Sequence, residues 1–311
     1  MSEISVIIVS WNACDYLRDC LNSIRNTGGA LIREVIVVDN ASSDGSPDMV
    51  KAQFPEVNLV RASENLGFAR ANNLGIQRAS GSLLALINSD VIVDRGCLQA
   101  LAYCLEKHPE VGLAGPRVNG RDGRLQVTCR RLPTIWNTAC RLPALDRVCS
   151  RWAFFSRFQT WYWNLDQDAN VEVLSGCFWV ARREAVDEVG QIDERFFFYT
   201  EDVDWCKRFR DAGWKLMFVP GATATHFGGG SSSNAPLRFS IEQLRSNLTY
   251  WRKHHGSLGR CAFLVIAIGQ HSLRFVARGL LKVTGFASVE SQHKLKEHIV
   301  CLRWLLTGKD A

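Results

Sequence analysis

Four short apolar runs, Ile4–Ser10, Glu34–Asp39, Val57–Arg61 and Leu83–Asn88, are separated by stretches in which apolar residues recur every three or four positions. Runs of this length, three of them rich in Val and Ile, read as strands buried on both faces. The intervening stretches Tyr16–Ile24, Pro47–Gln53 and Ala69–Ala79 read as amphipathic helices. Strand and helix therefore alternate, which predicts an α/β fold with a Rossmann-like, mostly parallel sheet flanked by helices. A further helix is expected over Arg95–Lys107 and a strand over Val111–Pro116.

Beyond a strong turn signal at Asn119-Gly120-Arg121-Asp122-Gly123 the periodicity degrades. Residues 130–168 carry Trp136, Trp152, Trp161, Tyr162 and Trp163 among basic residues, and are expected to form an irregular insertion over the site. Val171–Ala181 and Lys215–Val219 read as strands, Thr200–Ala212 as a helix and Gly228–Asn234 as a loop. Leu237–Leu306 has helical periodicity, giving an expected division into a sheet domain, 1–235, and a helical extension, 236–311.

Charge sharpens that division. The net charge is +6, but from Pro236 onward there are 12 Lys and Arg against 4 Asp and Glu, leaving residues 1–235 with 25 against 27. The basic excess thus belongs to the extension. No nucleic-acid-binding module accompanies it, so nucleic acid is not an expected partner. In the extension, Arg274, Arg278 and Lys282 share one helical face, and Leu273, Val276, Leu280 and Val283 the opposite one. Such a helix either packs on the rest of the protein or lies on an anionic membrane surface. The longest strongly apolar run, Cys261–Gly269, has nine residues, short of the ~20 a spanning helix needs. The chain opens on a strand with no signal-like segment. The 11 cysteines, odd in number and without a Cys-x-x-Cys pair, read as buried free thiols. A cytoplasmic location, peripheral at most to the membrane, is the expectation.

Candidate chemistry gathers where strands end. Ser10-Trp11-Asn12 closes the first strand, where Asn12 either caps the following helix or faces a ligand. Asp39-Asn40 closes the second; it suits a turn, or a carboxylate that accepts from a pyrimidine N3–H or a ribose hydroxyl. Asn65-Leu66-Gly67, with Asn72, follows the third, and a helix amino terminus there offers N–H groups to an anion. Asn88-Ser89-Asp90 closes the fourth and puts a hard oxygen ligand on a rigid strand end. Acids at the carboxyl edge of such a sheet lie where open α/β proteins bind nucleotides.

Two motifs lie further along. Thr200-Glu201-Asp202 could be a capped helix start with acids on the positive end of the dipole, with Asp204 and Arg208 forming an i,i+4 pair. The aromatic run Phe196–Tyr199 before it would instead shield the acids and keep one basic. His226, ahead of Gly228-Gly229-Gly230, is either structural or a metal or phosphate contact.

Taken in order, Val9-Ser10-Trp11-Asn12, Val38-Asp39-Asn40-Ala41-Ser42-Ser43-Asp44-Gly45, Asn65-Leu66-Gly67-Phe68-Ala69, Ile87-Asn88-Ser89-Asp90, Ser175-Gly176-Cys177, Asp193-Glu194-Arg195-Phe196-Phe197 and Glu201-Asp202 resemble the signature of the inverting family 2 glycosyltransferases with the GT-A fold. The rhamnosyltransferase-type enzymes of O-antigen and cell-wall polysaccharide assembly are the most similar subgroup. The resemblance implies a nucleotide-diphosphate sugar donor, dTDP- or UDP-linked with L-rhamnose a candidate, and a glycan or lipid-linked acceptor. It implies that Ser10, Asn12, Asp39, Asn40, Asn65, Gly67, Asn72, Asn88 and Gly176 line the donor site and that Asp90 with His226 holds Mg²⁺ or Mn²⁺. Asp202, beside Glu201, would deprotonate the acceptor hydroxyl. Two departures from the wider family matter. Asn88 stands where the first acid of an Asp-x-Asp metal motif is common, and no Gln-x-x-Arg-Trp follows Glu201-Asp202, which implies single addition and not processive synthesis. Two other readings share the sheet: a sugar nucleotidyltransferase, which needs a basic glycine-rich loop that Ser10-Trp11-Asn12-Ala13 does not supply, and a non-catalytic nucleotide-sugar-binding scaffold.

Overall fold

The β-branched runs form strands. The computed structural model describes residues 3–27, 29–140, 166–228, 236–284 and 289–309. Of the expected aromatic insertion, Trp152, Trp161, Tyr162 and Trp163 lie outside the described residues, as does the expected loop after Gly228. In chain order the elements begin β1 (Ile4–Ser10), α1 (Cys14–Thr27), β2 (Ile32–Asp39), α2 (Ser46–Gln53), β3 (Asn58–Arg61), α3 (Gly67–Ile76) and β4 (Leu83–Asn88). They continue with β5 (Val91–Val93), α4 (Cys97–Lys107), β6 (Val111–Asn119), β7 (Cys129–Arg130), α5 (Ile135–Cys140), β8 (Ala169–Val171), β9 (Val173–Leu174) and β10 (Phe178–Arg182). The last are α6 (Arg183–Val189), α7 (Glu201–Asp211), β11 (Lys215–His226), α8 (Pro236–Val283) and α9 (Val289–Thr307).

Among the described residues the main sheet has nine strands, in the order β3-β2-β1-β4-β10-β6-β11-β5, with β8 on β11. The first four strands are parallel, as the alternation predicts, and β6 is parallel to β11. Elsewhere the sheet is mixed: β10 runs antiparallel to both β4 and β6, and β11 is antiparallel to β5 and β8. The reversal has a local cause. Phe178–Arg182 enters the sheet from the Ser175–Cys177 turn and not from a crossover helix, so nothing forces it parallel. The single strand expected over Val171–Ala181 is broken twice, at Glu172 between β8 and β9 and at that turn between β9 and β10, while β11 runs past the expected Val219 to His226.

One face of the sheet is covered by α1, α2 and α4. Leu17, Leu21 and Ile24 of α1 and Leu98, Leu101 and Leu105 of α4 join Ile4, Val6, Ile8, Val37 and Ile87 in one buried cluster. Buried thiols fit here as small hydrophobes: Cys20, Cys97 and Cys104 belong to the same cluster, and the described cysteines are free. Burial pushes the Cys104 thiol up to about 11.

The chain divides into two compact units. The first holds Met1–Leu132, Trp163–Phe197 and Glu201–Asn234, and with them every strand described above. The second includes, among described residues, Pro133–Cys140, Phe198–Thr200 and the helices from Pro236 on. Within it Phe198, Tyr199 and Phe239 form an aromatic cluster, and Ser246 Oγ donates to the Phe198 carbonyl at 2.9 Å. α8 is interrupted at Gly256, whose φ of 67° lies outside the helical region. By length and composition alone, α8 is long and apolar enough to cross a membrane from Leu237 to Val283, which the nine-residue run Cys261–Gly269 did not suggest.

Candidate active site

Strand register aligns the first set of candidate residues. Ser10 lies opposite Asp39, and Val9 opposite Asn88, so three carboxyl-terminal strand ends form one edge. Ser10 Oγ and Asp39 Oδ1 are both buried without a hydrogen-bond partner. Asp39 Oδ2 accepts a long 3.4 Å bond from the Ser42 N–H. Burial pushes the Asp39 carboxyl above its usual range, opposed by that Ser42 contact. A buried carboxylate oxygen with nothing donating to it is costly, and it is the acceptor that a base N3–H or a ribose hydroxyl would satisfy.

Other candidates in this corner are already engaged. Asn12, in the left-handed region at φ 50°, accepts the Ser43 N–H at 2.8 Å, and its own N–H donates to Ser42 Oγ at 3.0 Å. It therefore ties the β1–α1 loop to the β2–α2 loop. The amino end of α1 is bonded from that second loop as well, through Cys14 N–H to Asp44 Oδ2 at 2.8 Å. Asn40 donates to Asn65 Oδ1 and to the Gly67 carbonyl and accepts from the Leu66 N–H, which shapes the turn before α3. Asn72 bonds the Phe68 carbonyl one turn back. Gly67 has φ 76°, and a Cβ there would sit 2.5 Å from the Phe197 carbonyl oxygen. The expectation of open N–H groups at this helix start needs correction. The Gly67 N–H is taken by Asn65 Oδ1 and the Phe68 N–H by the Phe197 carbonyl, so this end of α3 is built to hold Phe197.

Asp90 and His226 meet. β5 and β11 pair so that His226 lies opposite Val91, and His226 Nε2 is 3.3 Å from Asp90 Oδ1. Gln126, which sequence reasoning missed, fixes that ring. Its Nε2 donates to the His226 carbonyl at 2.8 Å, which orients the amide and leaves Oε1 to face His226 Nδ1 at 2.9 Å. An amide oxygen only accepts, so Nδ1 carries the hydrogen of that bond and Nε2 is the ring atom that faces Asp90. The carboxylate oxygen and the ring nitrogen, 3.3 Å apart, are close enough to be ligands of one cation. No group of three His, Cys, Asp or Glu that could hold a metal occurs among the described residues. Asp90 and His226 thus supply two donors, and a hard divalent cation held there would take its other ligands from phosphate and water.

Glu201 and Asp202 open α7 and are both buried. The two residues before them, Tyr199 (φ 68°) and Thr200 (φ 67°), have left-handed backbones, so Thr200 does not adopt the extended conformation of the N-cap expected of it. Non-glycine residues held there cost about 1–3 kcal/mol each. Glu201 Oε2 is buried without a partner. Burial first, and the Asp202 charge second, push the Glu201 carboxyl well above its usual range. Asp202 Oδ1 accepts the Val203 N–H at 2.8 Å, and Oδ2 meets Arg130 Nη2 at 2.5 Å. Arg130, also missed, comes from the two-residue strand β7. The i,i+4 pair of Asp204 and Arg208 forms at 2.9 Å.

The Ser175-Gly176-Cys177 turn joins these centres. The Asn88 N–H donates to the Cys177 carbonyl at 2.9 Å, while a Cβ on Gly176 would lie 3.5 Å from Asp202 Cβ. Burial, with the nearby charges of Asp90 and Asp202, pushes the Cys177 thiol up to about 12. Both acids thus face one turn.

Residues 5–190 match the family described as Glycosyl transferase family 2. Over 285 residues the chain is 26% identical to the N-acetylglucosaminyl-diphospho-decaprenol L-rhamnosyltransferase of Mycobacterium tuberculosis, with 83% of each chain covered. It is 30% identical over 125 residues to the putative teichuronic acid biosynthesis glycosyltransferase TuaG of Bacillus subtilis, covering 39% of this chain and 49% of that one. In fold it is similar to the mannosyltransferase PcManGT from Pyrobaculum calidifontis, solved with GDP-Man and Mn²⁺. The TM-score is 0.58 at 15% identity over 99% of this chain and 88% of that one. GalNAc-T7, solved with UDP, GalNAc and Mn²⁺, gives a TM-score of 0.59 at 16% identity over 98% and 56% of the two chains. The structural likenesses establish the GT-A fold, and the sequence match establishes the rest: the chain belongs to glycosyltransferase family 2 and is a glycosyltransferase with a rhamnosyltransferase-like sequence.

Proposed function

We propose that this enzyme transfers a single sugar, L-rhamnose from a dTDP or UDP carrier, to a hydroxyl of a lipid-linked oligosaccharide or polysaccharide precursor, with inversion at the anomeric carbon. The carrying observation is the Ser175–Cys177 turn, which touches the Asp90 strand end on one side and Asp202 on the other. In this reading Asp39 accepts from the base or ribose, with Ser10 and the Asn40–Asn65 turn around it. Asp90 and His226 hold Mg²⁺ or Mn²⁺, with Asn88 in place of a second acid, and a bound cation there offsets the charge of the departing diphosphate.

The acceptor oxygen attacks the anomeric carbon from the face opposite the diphosphate, the carbon–oxygen bond to the diphosphate breaks, and the hydroxyl proton passes to Asp202. Burial pushes the Glu201 carboxyl well above its usual range, which disfavours a second negative charge beside the base. A positioned base contributes about 10²–10⁴-fold. A polyprenyl acceptor gives the basic, apolar α8 a use: lying on the inner face of the membrane, it would bring the protein to its substrate. The 83% coverage of the mycobacterial rhamnosyltransferase supports the choice of donor sugar and acceptor class.

Calorimetry with dTDP-L-rhamnose, UDP-glucose, UDP-galactose and GDP-mannose, each with and without Mg²⁺ or Mn²⁺, tests the reading. Metal-enhanced binding of dTDP-L-rhamnose alone is the expected result. Selective binding of another donor replaces the sugar, and metal-independent binding removes the Asp90–His226 assignment.

A further inference from the structure

The geometry points to Arg130 as the positioning residue for acceptor activation: its guanidinium orients Asp202 and assigns the single negative charge of the Glu201–Asp202 pair to Asp202. This rests on the reading of Asp202 as the base.

Two adjacent buried carboxyls share a problem. Left alone they would hold one proton between them, with the charge on either residue. A base must be the ionised member, and its lone pair must point at the substrate. Arg130 breaks the symmetry, because its Nη2 contacts Asp202 Oδ2 at 2.5 Å while Glu201 Oε2 has no partner. The Asp202 carboxylate is held at both oxygens, one by Arg130 and one by the Val203 N–H.

Placement of Arg130 is not incidental. β7 pairs with β9, with Arg130 opposite Val173, and the Thr128 carbonyl accepts the Ser175 N–H at 2.8 Å. α7 bonds the same strand, where Cys206 Sγ accepts the Leu174 N–H at 3.4 Å and donates to the Leu174 carbonyl at 3.6 Å. β9 is therefore a common floor for Arg130 and Asp202. The Arg130 Nε–H is buried with no partner, a cost that a residue serving packing alone would shed. Among the described residues the charged groups facing the pair are Arg130 from β7 and Asp204 from α7 itself, and Asp204 is paired with Arg208. The Cys177 and Cys206 thiols on the neighbouring turn and helix are raised by burial and neutral.

The test compares Arg130→Met, Arg130→Lys and Asp202→Asn, with dTDP-L-rhamnose and an N-acetylglucosaminyl diphosphoprenol as substrates. It is joined by a substrate-free ¹³C titration of the side-chain carboxyls. Arg130→Met should lower kcat by about 10²-fold while donor affinity holds, and should move the acid limb of the kcat profile to higher pH. In the titration Glu201 should keep its proton to still higher pH, since the cation that opposes its burial is gone. Arg130→Lys, which keeps the charge without the fork, should recover part of kcat and restore the profile. Unchanged kcat and pH profile in Arg130→Met, with Asp202→Asn inactive, overturn the inference and leave the base in place. An active Asp202→Asn overturns the base assignment itself, while the ¹³C titration still reads whether Arg130 sets the charge. If Arg130→Met does not fold, the neutral Arg130→Gln takes its place, and wild-type kcat and profile in that variant are the overturning result.

Discussion

Gln126 holds His226 by two bonds, its amide nitrogen donating to the histidine carbonyl and its amide oxygen accepting from the ring Nδ1. A side chain that grips both the backbone and the imidazole fixes ring position and tautomer together. Such partners are commonly worth about 10–100-fold in metal affinity. Gln126→Ala should therefore weaken the Mn²⁺ dependence of donor binding by about that factor, and Tm should fall only slightly. Manganese titration at fixed donor checks it, and an unchanged metal response would free His226 from any role at the diphosphate.

Asp39 supports a second prediction. Its Oδ1 lacks a donor in the protein, and the carboxyl is pushed up by burial. Asp39→Asn removes the buried charge, so the fold should be as stable as wild type or more so. Nucleotide binding should weaken by about tenfold or more, the scale of a hydrogen bond to a charged group. Loss of binding with gain of stability is a combination that damage to the fold does not produce, and thermal melting beside calorimetry separates the two.

A pH prediction follows from Glu201. Its folded carboxyl holds a proton above the pH at which the unfolded chain releases one. In that window the folded state binds more protons than the unfolded state, so stability falls as pH rises. Glu201→Gln removes this dependence. The Tm of the variant should exceed that of wild type by a gap that widens as pH rises above the ordinary carboxylate range. A constant gap, or one that narrows, would mean that Glu201 is ionised in the fold.

The elements behind these tests were unequally legible in sequence. Asp39 and Asp90 stood out because each follows a short, strongly apolar run, and a buried parallel strand has a strong local signature. Glu201-Asp202 stood out through the aromatic run beside it. Gln126 and Arg130 had no such mark. Each acts through a contact about 70 to 100 residues away in the chain, and β7 and β9, at two residues apiece, are too short to show a period. The antiparallel entry of β10 escaped for the same reason, since direction is set by a three-residue turn and not by the strand's own composition. Gly67 was legible as a glycine that lets backbone approach, but its partner is Phe197 and not an anion.

That contact makes Gly67→Ala informative. The new Cβ would meet the Phe197 carbonyl at 2.5 Å on a backbone at φ 76°. A strained left-handed residue costs about 1–3 kcal/mol, and the Phe68 N–H to Phe197 bond must also shift. Lower Tm is expected together with lower kcat, since Phe197 lies four residues before Glu201. A variant with wild-type kcat and only a lower Tm would confine the contact to stability.

The membrane prediction rests on α8. Its most apolar stretch is only 6% buried, and Leu258, Val265, Val276, Leu280 and Val283 are 54% exposed or more. Among the exposed apolar residues Val276, Leu280 and Val283 recur Arg274, Arg278 and Lys282, four residues apart. Spaced cations along an apolar helix favour a position in the headgroup plane over a span, because each is worth about 1 kcal/mol against an anionic surface and costs more than that at the bilayer centre. The protein should co-float with phosphatidylglycerol vesicles, be released by high salt or alkaline carbonate, and bind phosphatidylcholine vesicles weakly. Val276→Asp with Leu280→Asp should abolish flotation and leave transfer to a short-chain, water-soluble acceptor unchanged, while transfer to a polyprenyl acceptor in vesicles drops. Resistance to carbonate would make α8 a span, and no flotation at low salt would leave its apolar face to another surface of protein.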